Sequence, residues 1–190
     1  MRRPHFAKWL AAAALLVWAP ALWANSYTDA ANLFRNAGES ARFFNNCYGY
    51  AVFPTIGKAG LVVGGAHGRG RVYVHGIYVG DTSVNQLSAG FQAGGQAYSQ
   101  IVFFENRRAF DEFTKGNFEF GADFDAVAIT AAAGGSVGTA GASAEASGGM
   151  KDALTAGRYY KGLAVFTIVK GGAMYQATVA GQKFSYTPKA

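Results

Sequence analysis

The stretch YGYAVFPTIGKAGLVVGGAHGRGR, Tyr48 to Arg71, constrains the fold most, because it sets a proline, a lysine and seven glycines among short apolar runs. It reads as chain built to turn tightly beside something. Val52 and Phe53 look like the end of a short strand, and Pro54 then denies the next ladder hydrogen bond, so the chain should leave the sheet there or run along its edge. Lys58 lands in that break. Leu61 to Val63 restart a strand, and Gly64, Gly65, Gly68 and Gly70 permit positive backbone dihedrals or close backbone approach. Arg69 and Arg71 follow around these expected glycine turns.

The flanking pattern supplies a fold class. Tyr27 to Asn46 predicts one amphipathic helix, with Ser26 or Thr28 as caps and Tyr27, Ala31, Phe34, Ala41 and Phe44 near helical spacing. Gly38 weakens it by about 1 kcal/mol relative to alanine. Either its apolar face docks on a sheet, or the helix lies in a bilayer interface with Phe34, Phe43 and Phe44 as membrane contacts and Arg35 and Arg42 near phosphates. From Ala51 onward the pattern is β. Arg71–Val74 and Ile77–Val79 flank His75-Gly76, a tight hairpin signal.

Along Gln86 to Phe104 one face carries Gln86, Ser88, Gln92, Gln96, Tyr98 and Gln100, to be wet or hydrogen-bonded, and the other carries Leu87, Ala89, Phe91, Ala93, Ala97, Ile101 and Phe103, to be packed. Gly94-Gly95 marks a bend or bulge. Asn106 to Lys115 predicts a second, short helix that stops at Gly116. Ala126 to Gly149, nearly all small residues, suits one or two closely packed strands. Gly162–Lys170, a turn at Gly171-Gly172, Met174–Val179 and Gln182–Tyr186 look like a closing antiparallel meander. The expectation is a single α+β domain, mostly β, with a curved or barrel-like antiparallel sheet, an N-terminal amphipathic helix and a second short helix at its margin.

These motifs carry a resemblance. VFPTIGKAGLVVGGAHGRGRVY, followed by YVGDTSVNQLSAGFQAGGQAYSQIVFF from Tyr78 to Phe104 and the closing GQKFSY, resembles the SYLF domain family over about Cys47 to Tyr186. The resemblance implies lipid binding, since eukaryotic members bind phosphoinositides and a yeast member binds actin, while the bacterial branch is exported. Actin has no counterpart in a bacterial envelope and is not carried over.

Residues 1–24 read as an export signal: Arg2, Arg3 and Lys8, an apolar run from Trp9 to Trp18, and small residues offering cleavage after Ala21 or Ala24. Residues 25–190 then form one lipid-binding domain of SYLF type, expected in the periplasm, at the envelope or secreted. Without the three leader cations, 14 basic residues face 11 acidic ones, and the formal charge falls from +6 to +3. That bias is too small for a nucleic-acid signature. Cys47 is the single cysteine, so no intramolecular disulfide forms.

Enzymatic chemistry has little support. His67 and His75 both fall in or beside expected turns, no zinc spacing, nucleophile elbow or phosphate loop is spelled out, and neither a catalytic residue, a metal nor a cofactor is expected. Anion binding fits better. Lys58, Arg69 and Arg71 cluster around glycine turns whose N–H groups can add to an anion nest, and Arg158, Lys161 and Lys170 form a second basic group beside Tyr159 and Tyr160. The reading is non-enzymatic binding of anionic lipid headgroups through these six residues. The alternatives are an envelope protein-interaction or structural module with a protein partner, and a small outer-membrane β-barrel.

Overall fold

The computed structural model describes residues 19–60, 63–89, 96–124, 126–131, 137–138, 158–170 and 179–190. Helix α1 (Ala19–Arg35), the single turn α2 (Gly38–Ala41) and a 3-10 turn (Arg42–Asn45) lead into strands β1 (Gly49–Gly60), β2 (Val63–Val74), β3 (Ile77–Ala89) and β4 (Gln96–Phe104). Helix α3 (Arg107–Phe113) follows, then β5 (Phe118–Glu119), β6 (Val127–Ala131), β7 (Val137–Gly138), β8 (Leu163–Val169) and β9 (Gln182–Pro188). The strands join in the order β5-β9-β3-β2-β1-β4-β8-β6-β7. Pairing is antiparallel except for β6 on β8, so the mostly antiparallel sheet is as expected.

The sheet is curled hard into a half-barrel. Strands β9 and β4 are separated by β3, β2 and β1, about 19 Å if the sheet were flat. Yet Gln100 Nε2 on β4 donates to Gln182 Oε1 on β9 at 2.8 Å, and Gln182 Nε2 donates back to Gln100 Oε1 at 3.1 Å. Gln182 Nε2 also donates to the Tyr98 hydroxyl at 3.0 Å, and burial pushes the Tyr98 pKa up to about 12, so the ring stays neutral. Around this polar knot the inner face packs Phe53, Ile56, Val84, Val102, Phe104 and Phe184, closed by Phe113 of α3 and by Phe120. The face expected to be wet or hydrogen-bonded is thus hydrogen-bonded and buried at Gln86, Tyr98 and Gln100, whereas Leu87, expected to pack, is 86% exposed.

Pro54 does not end a strand. It sits inside β1 at a bulge: Val52 pairs with Arg71 and Thr55 with Arg69, so three steps on β1 match two on β2. Ser99 Oγ donates to Pro54 O at 2.7 Å. The extra residue shifts the alternation of faces, which is why Phe53 and Ile56, three apart, both point inward. Lys58 therefore lies in a continuous strand and not in a break. The glycines of β2 are likewise strand positions, none with positive φ. Gly68 and Gly70 leave the space that the curl gives to Ile56 and Phe53: a Cβ would come within 2.7 Å of Ile56 Cγ1 at the first and 2.6 Å of the Phe53 ring at the second.

The helices follow local chemistry. The expected single helix over Tyr27–Asn46 is broken after Arg35, where Ala37 is extended, and the Ser40 hydroxyl donates to Phe34 O at 2.6 Å to satisfy the end of α1. α1 also runs through Ala21 and Ala24, the expected cleavage positions, while residues 1–18 lie outside the described residues. Helix α3 is capped by Asn106, which accepts from Ala109 N–H, and Gly116 follows at φ 85°. His75 and Gly76 turn the β2–β3 hairpin with φ of 49° and 80°, as the hairpin signal predicts. The closing meander is corrected: β8 pairs with β4 and β6, whereas β9 pairs with β3 and β5. The turn expected at Gly171-Gly172, the bend at Gly94-Gly95, Leu61, Gln92, Met174 and most of Ala126–Gly149 lie outside the described residues.

On one side of the sheet β9 is covered only in part, because the two-residue β5 beyond it pairs with Phe184 and Lys183 alone. Lys189 N–H donates to Val79 O at 2.9 Å. Since hydrogen-bonded pairs alternate in an antiparallel ladder, Thr187 and Ser185 also bond toward β3, and Phe184, Tyr186 and Pro188 turn their backbone groups outward.

Candidate functional site

The outer face of the sheet has two halves of opposite character. Over β1, β4, β8 and β6 it is apolar, with Tyr50, Val52, Ile101, Phe103, Phe166 and Ile168 pointing out of the barrel. α1 covers this half with Tyr27, Ala30, Ala31 and Phe34, a run of i, i+3, i+4 and i+7 positions. Phe43 stacks on Phe103 at 5.4 Å, and Phe44 meets Phe103 edge-on at 4.9 Å under the Arg35 guanidinium. Phe34, Phe43 and Phe44, expected as membrane contacts, therefore contact protein instead. The apolar half of the sheet needs a cover, and these rings supply it. The sheet-docking alternative for the helix is the one observed.

Over β2, β3 and β9 the outer face is largely polar, with Leu87 exposed beyond its third rung. Pairing register lays its side chains out in rungs: Arg71, Asp81 and Thr187 in one, Arg69, Ser83 and Ser185 in the next, His67, Asn85 and Lys183 in a third. A lipid-spanning barrel needs apolar side chains here, so this half has the reverse of that pattern. A groove of about 390 Å3 runs along the first two rungs under Tyr27. Arg71 is held between the Tyr27 and Tyr78 rings at 4.5 and 5.0 Å, with Asp81 Oδ1 at 3.8 Å from its Nε. The Ser83 and Ser185 hydroxyls are 2.7 Å apart. A second groove, about 820 Å3, lies alongside α1 and shares Arg69; Leu33, His67 and Lys170 also line it. Lys170 Nζ donates to Thr55 Oγ1 at 2.9 Å, and Thr55 is the cross-strand partner of Arg69. Arg69, Arg71 and Lys170 thus share one face.

The other three basic residues of the expected set do not join them. Lys58 is turned inward by the bulge, pairs across from Ala66 and is 8% exposed; burial lowers its pKa. Lys161 belongs to a different cleft, where Glu105, Glu112, Glu119 and Asp123 outnumber Lys161 and Arg108. Its Nζ donates to Asp123 Oδ2 at 2.7 Å, and the Tyr160 hydroxyl donates to the same oxygen at 2.6 Å. These bonds, the Lys161 one foremost, hold the Asp123 pKa down to about 2. An anion would meet like charge there. Arg158 is exposed and lines neither groove.

What the residue-level reading missed is the neutral part of the site, Ser83, Ser185 and Thr187, with Asp81. The signal was available as a polar residue at every second position in Asp81-Thr82-Ser83-Val84-Asn85 and again in Lys183-Phe184-Ser185-Tyr186-Thr187, the mark of a solvent-facing strand edge-on to a core. Among the described residues no group of three or more His, Cys, Asp and Glu is placed to hold a metal ion. His67 Nδ1 lies 2.8 Å from Asn85 Oδ1, and His75 packs edge-on against Tyr48 at 5.1 Å. Cys47 is half-buried, and burial raises its thiol pKa, which disfavours the nucleophilic thiolate.

Residues 85–188 match the family described as Las17-binding protein actin regulator, Ysc84. That span is more than half of the chain and runs from within β3 to the end of β9. The chain is also 27% identical over 164 residues to Beta cell expansion factor A of Aeromonas veronii, an alignment that covers 84% of this chain and 54% of the relative. The chain therefore spans about half the length of that protein.

Proposed function

Given that the chain belongs to the Ysc84 (SYLF) family, we propose that it binds anionic lipid headgroups reversibly, without catalysing a reaction, through the open outer face of β2, β3 and β9. The observation that carries this reading is the gathering of Arg69, Arg71 and Lys170 on one groove-lined face, from two separate parts of the sequence. Arginine forks match phosphate oxygens in pairs, and lysine adds a point charge. Each cation near an anionic leaflet contributes about 1 kcal/mol, so three together favour the membrane by roughly a hundredfold. Leu33, 41% exposed at the rim of the second groove, adds an apolar contact beside them. The working location is the periplasm or the envelope, where an exported protein meets anionic phospholipid. A protein partner would meet the same face first, because the apolar half of the sheet lies under α1.

The test is cosedimentation of the protein, as it accumulates in its producing cell, with phosphatidylglycerol-containing or purely phosphatidylcholine vesicles. Binding to the first alone, released by salt, is expected. Replacing Arg69, Arg71 and Lys170 together by glutamine should abolish it, while Lys58→Gln should leave it intact. Equal pelleting on both vesicles would refute the reading.

A further inference from the structure

Asp81 is a carboxylate in the middle of a face read as anion-binding, and a purely cationic site has no use for it. Its side chain is 64% exposed, and its ion pair with Arg71 is a loose one at 3.8 Å. Arg71 is fixed by the two tyrosine rings and takes only part of that charge, and the Tyr78 hydroxyl also interacts with the carboxylate, which still lines the groove and has lone pairs left to accept with. One rung away, Arg69 makes no hydrogen bond or ion pair among the described residues, and Ser83 and Ser185 share one short hydrogen bond. A pair of hydroxyls uses only one hydrogen in that bond, so the second hydroxyl can donate elsewhere.

The face therefore offers donors for a phosphate in one rung and an acceptor for a cation in the next. The rungs are about 7 Å apart, two residues along a strand. A phosphate and a primary ammonium joined through one oxygen and two carbons bridge a step of this order with a short side chain at each end. Building on the headgroup reading above, we infer that this pair of rungs recognises a phosphoethanolamine headgroup, with the phosphate on Arg69, Ser83 and Ser185 and the ammonium on Asp81. A quaternary ammonium of the same charge has no N–H to donate and is a poorer ligand for the carboxylate. The occupant is a membrane lipid, because Arg69 is shared with the groove beside the exposed Leu33.

The experiment holds phosphatidylglycerol constant in all vesicles and replaces part of the phosphatidylcholine by phosphatidylethanolamine. Affinity should rise about fivefold, the worth of one exposed charge-assisted hydrogen bond. Asp81→Asn should abolish that increment and at the same time strengthen binding to vesicles without phosphatidylethanolamine, since it removes a negative charge. Those opposite signs in one variant separate recognition from misfolding. Soluble glycerophosphoethanolamine should compete better than glycerophosphocholine against the wild type and equally against Asp81→Asn. No increment at constant phosphatidylglycerol overturns the inference and leaves the charge reading standing. An increment that survives in Asp81→Asn overturns it too, by assigning the effect to lipid packing. Loss of all vesicle binding removes both readings.

Discussion

Replacing Gly70 by alanine tests whether the curl of the sheet depends on missing side chains. Gly70 lies on the inner face of β2, and an added Cβ would sit 2.6 Å from two carbons of the Phe53 ring and 2.9 Å from Thr82 Cγ2, where ordinary contacts begin at 3.4 Å. Neither neighbour can withdraw. Phe53 is fully buried with Phe184 at 5.7 Å behind it, and the Thr82 hydroxyl is fixed by its bond to Ser185 O at 2.6 Å. Overpacking of this kind costs about 2 kcal/mol, which for a chain of this size lowers Tm by about 4–8 °C. Gly57 is the internal control: it is on the exposed outer face of β1, and no atom lies within 4 Å of its Cβ position. Gly57→Ala should stabilise by about 0.5 kcal/mol, because it only removes freedom from the unfolded chain. Urea titration followed by far-ultraviolet circular dichroism measures both. If Gly70→Ala falls within 0.5 kcal/mol of the wild type, or if both variants lose stability equally, the inner glycines are not what permits the curl.

Lys58 and Asp123 give two further outcomes with defined signs. Burial lowers the Lys58 pKa, so the unfolded chain takes up the proton first as pH falls from about 10.5, and the native state is penalised at neutral pH. Lys58→Met should therefore raise Tm at pH 7, with the gain shrinking as pH is raised through the normal lysine range; a gain independent of pH would count against a buried charge. The Asp123 pKa is depressed to about 2, from an ordinary 3.8, chiefly by the Lys161 bond. Its contribution is present above the ordinary value and lost as pH falls toward 2, so wild type and Asp123→Asn should converge in acid and differ, slightly, at pH 6. Acid titration of both proteins checks this.

Much of the local structure is legible in the residues. The hairpin at His75-Gly76 and the Asn106 cap of α3 follow from backbone chemistry that a few residues decide, although the helix ends at Phe113, short of the expected stop at Gly116. What escapes is anything set by a single inserted residue or by distant pairing. Without the bulge at Pro54, Lys58 would share the outer face with Arg69 and Arg71; with it, every side chain from Thr55 onward changes sides. Strands β8 and β9, expected at the two ends of one closing meander, lie on opposite sides of the sheet, one paired with β4 and the other with β3. Half of the site shows the same division. Arg69 and Arg71 are two apart on one strand and must share a face, whereas Lys170 reaches them only through Thr55, 115 residues away.

Pro188 decides what another chain could do to this protein. On the outward side of β9, β5 already occupies Phe184, and Pro188 has no N–H, which leaves Tyr186 as the one residue of the Phe184–Pro188 set with a backbone donor to offer. An incoming strand would find a single rung to dock on. An edge strand with unpaired backbone N–H and C=O groups is ordinarily a template for unintended β-pairing. Here the template stops after one residue, so this edge gives a second copy almost nothing to zip onto.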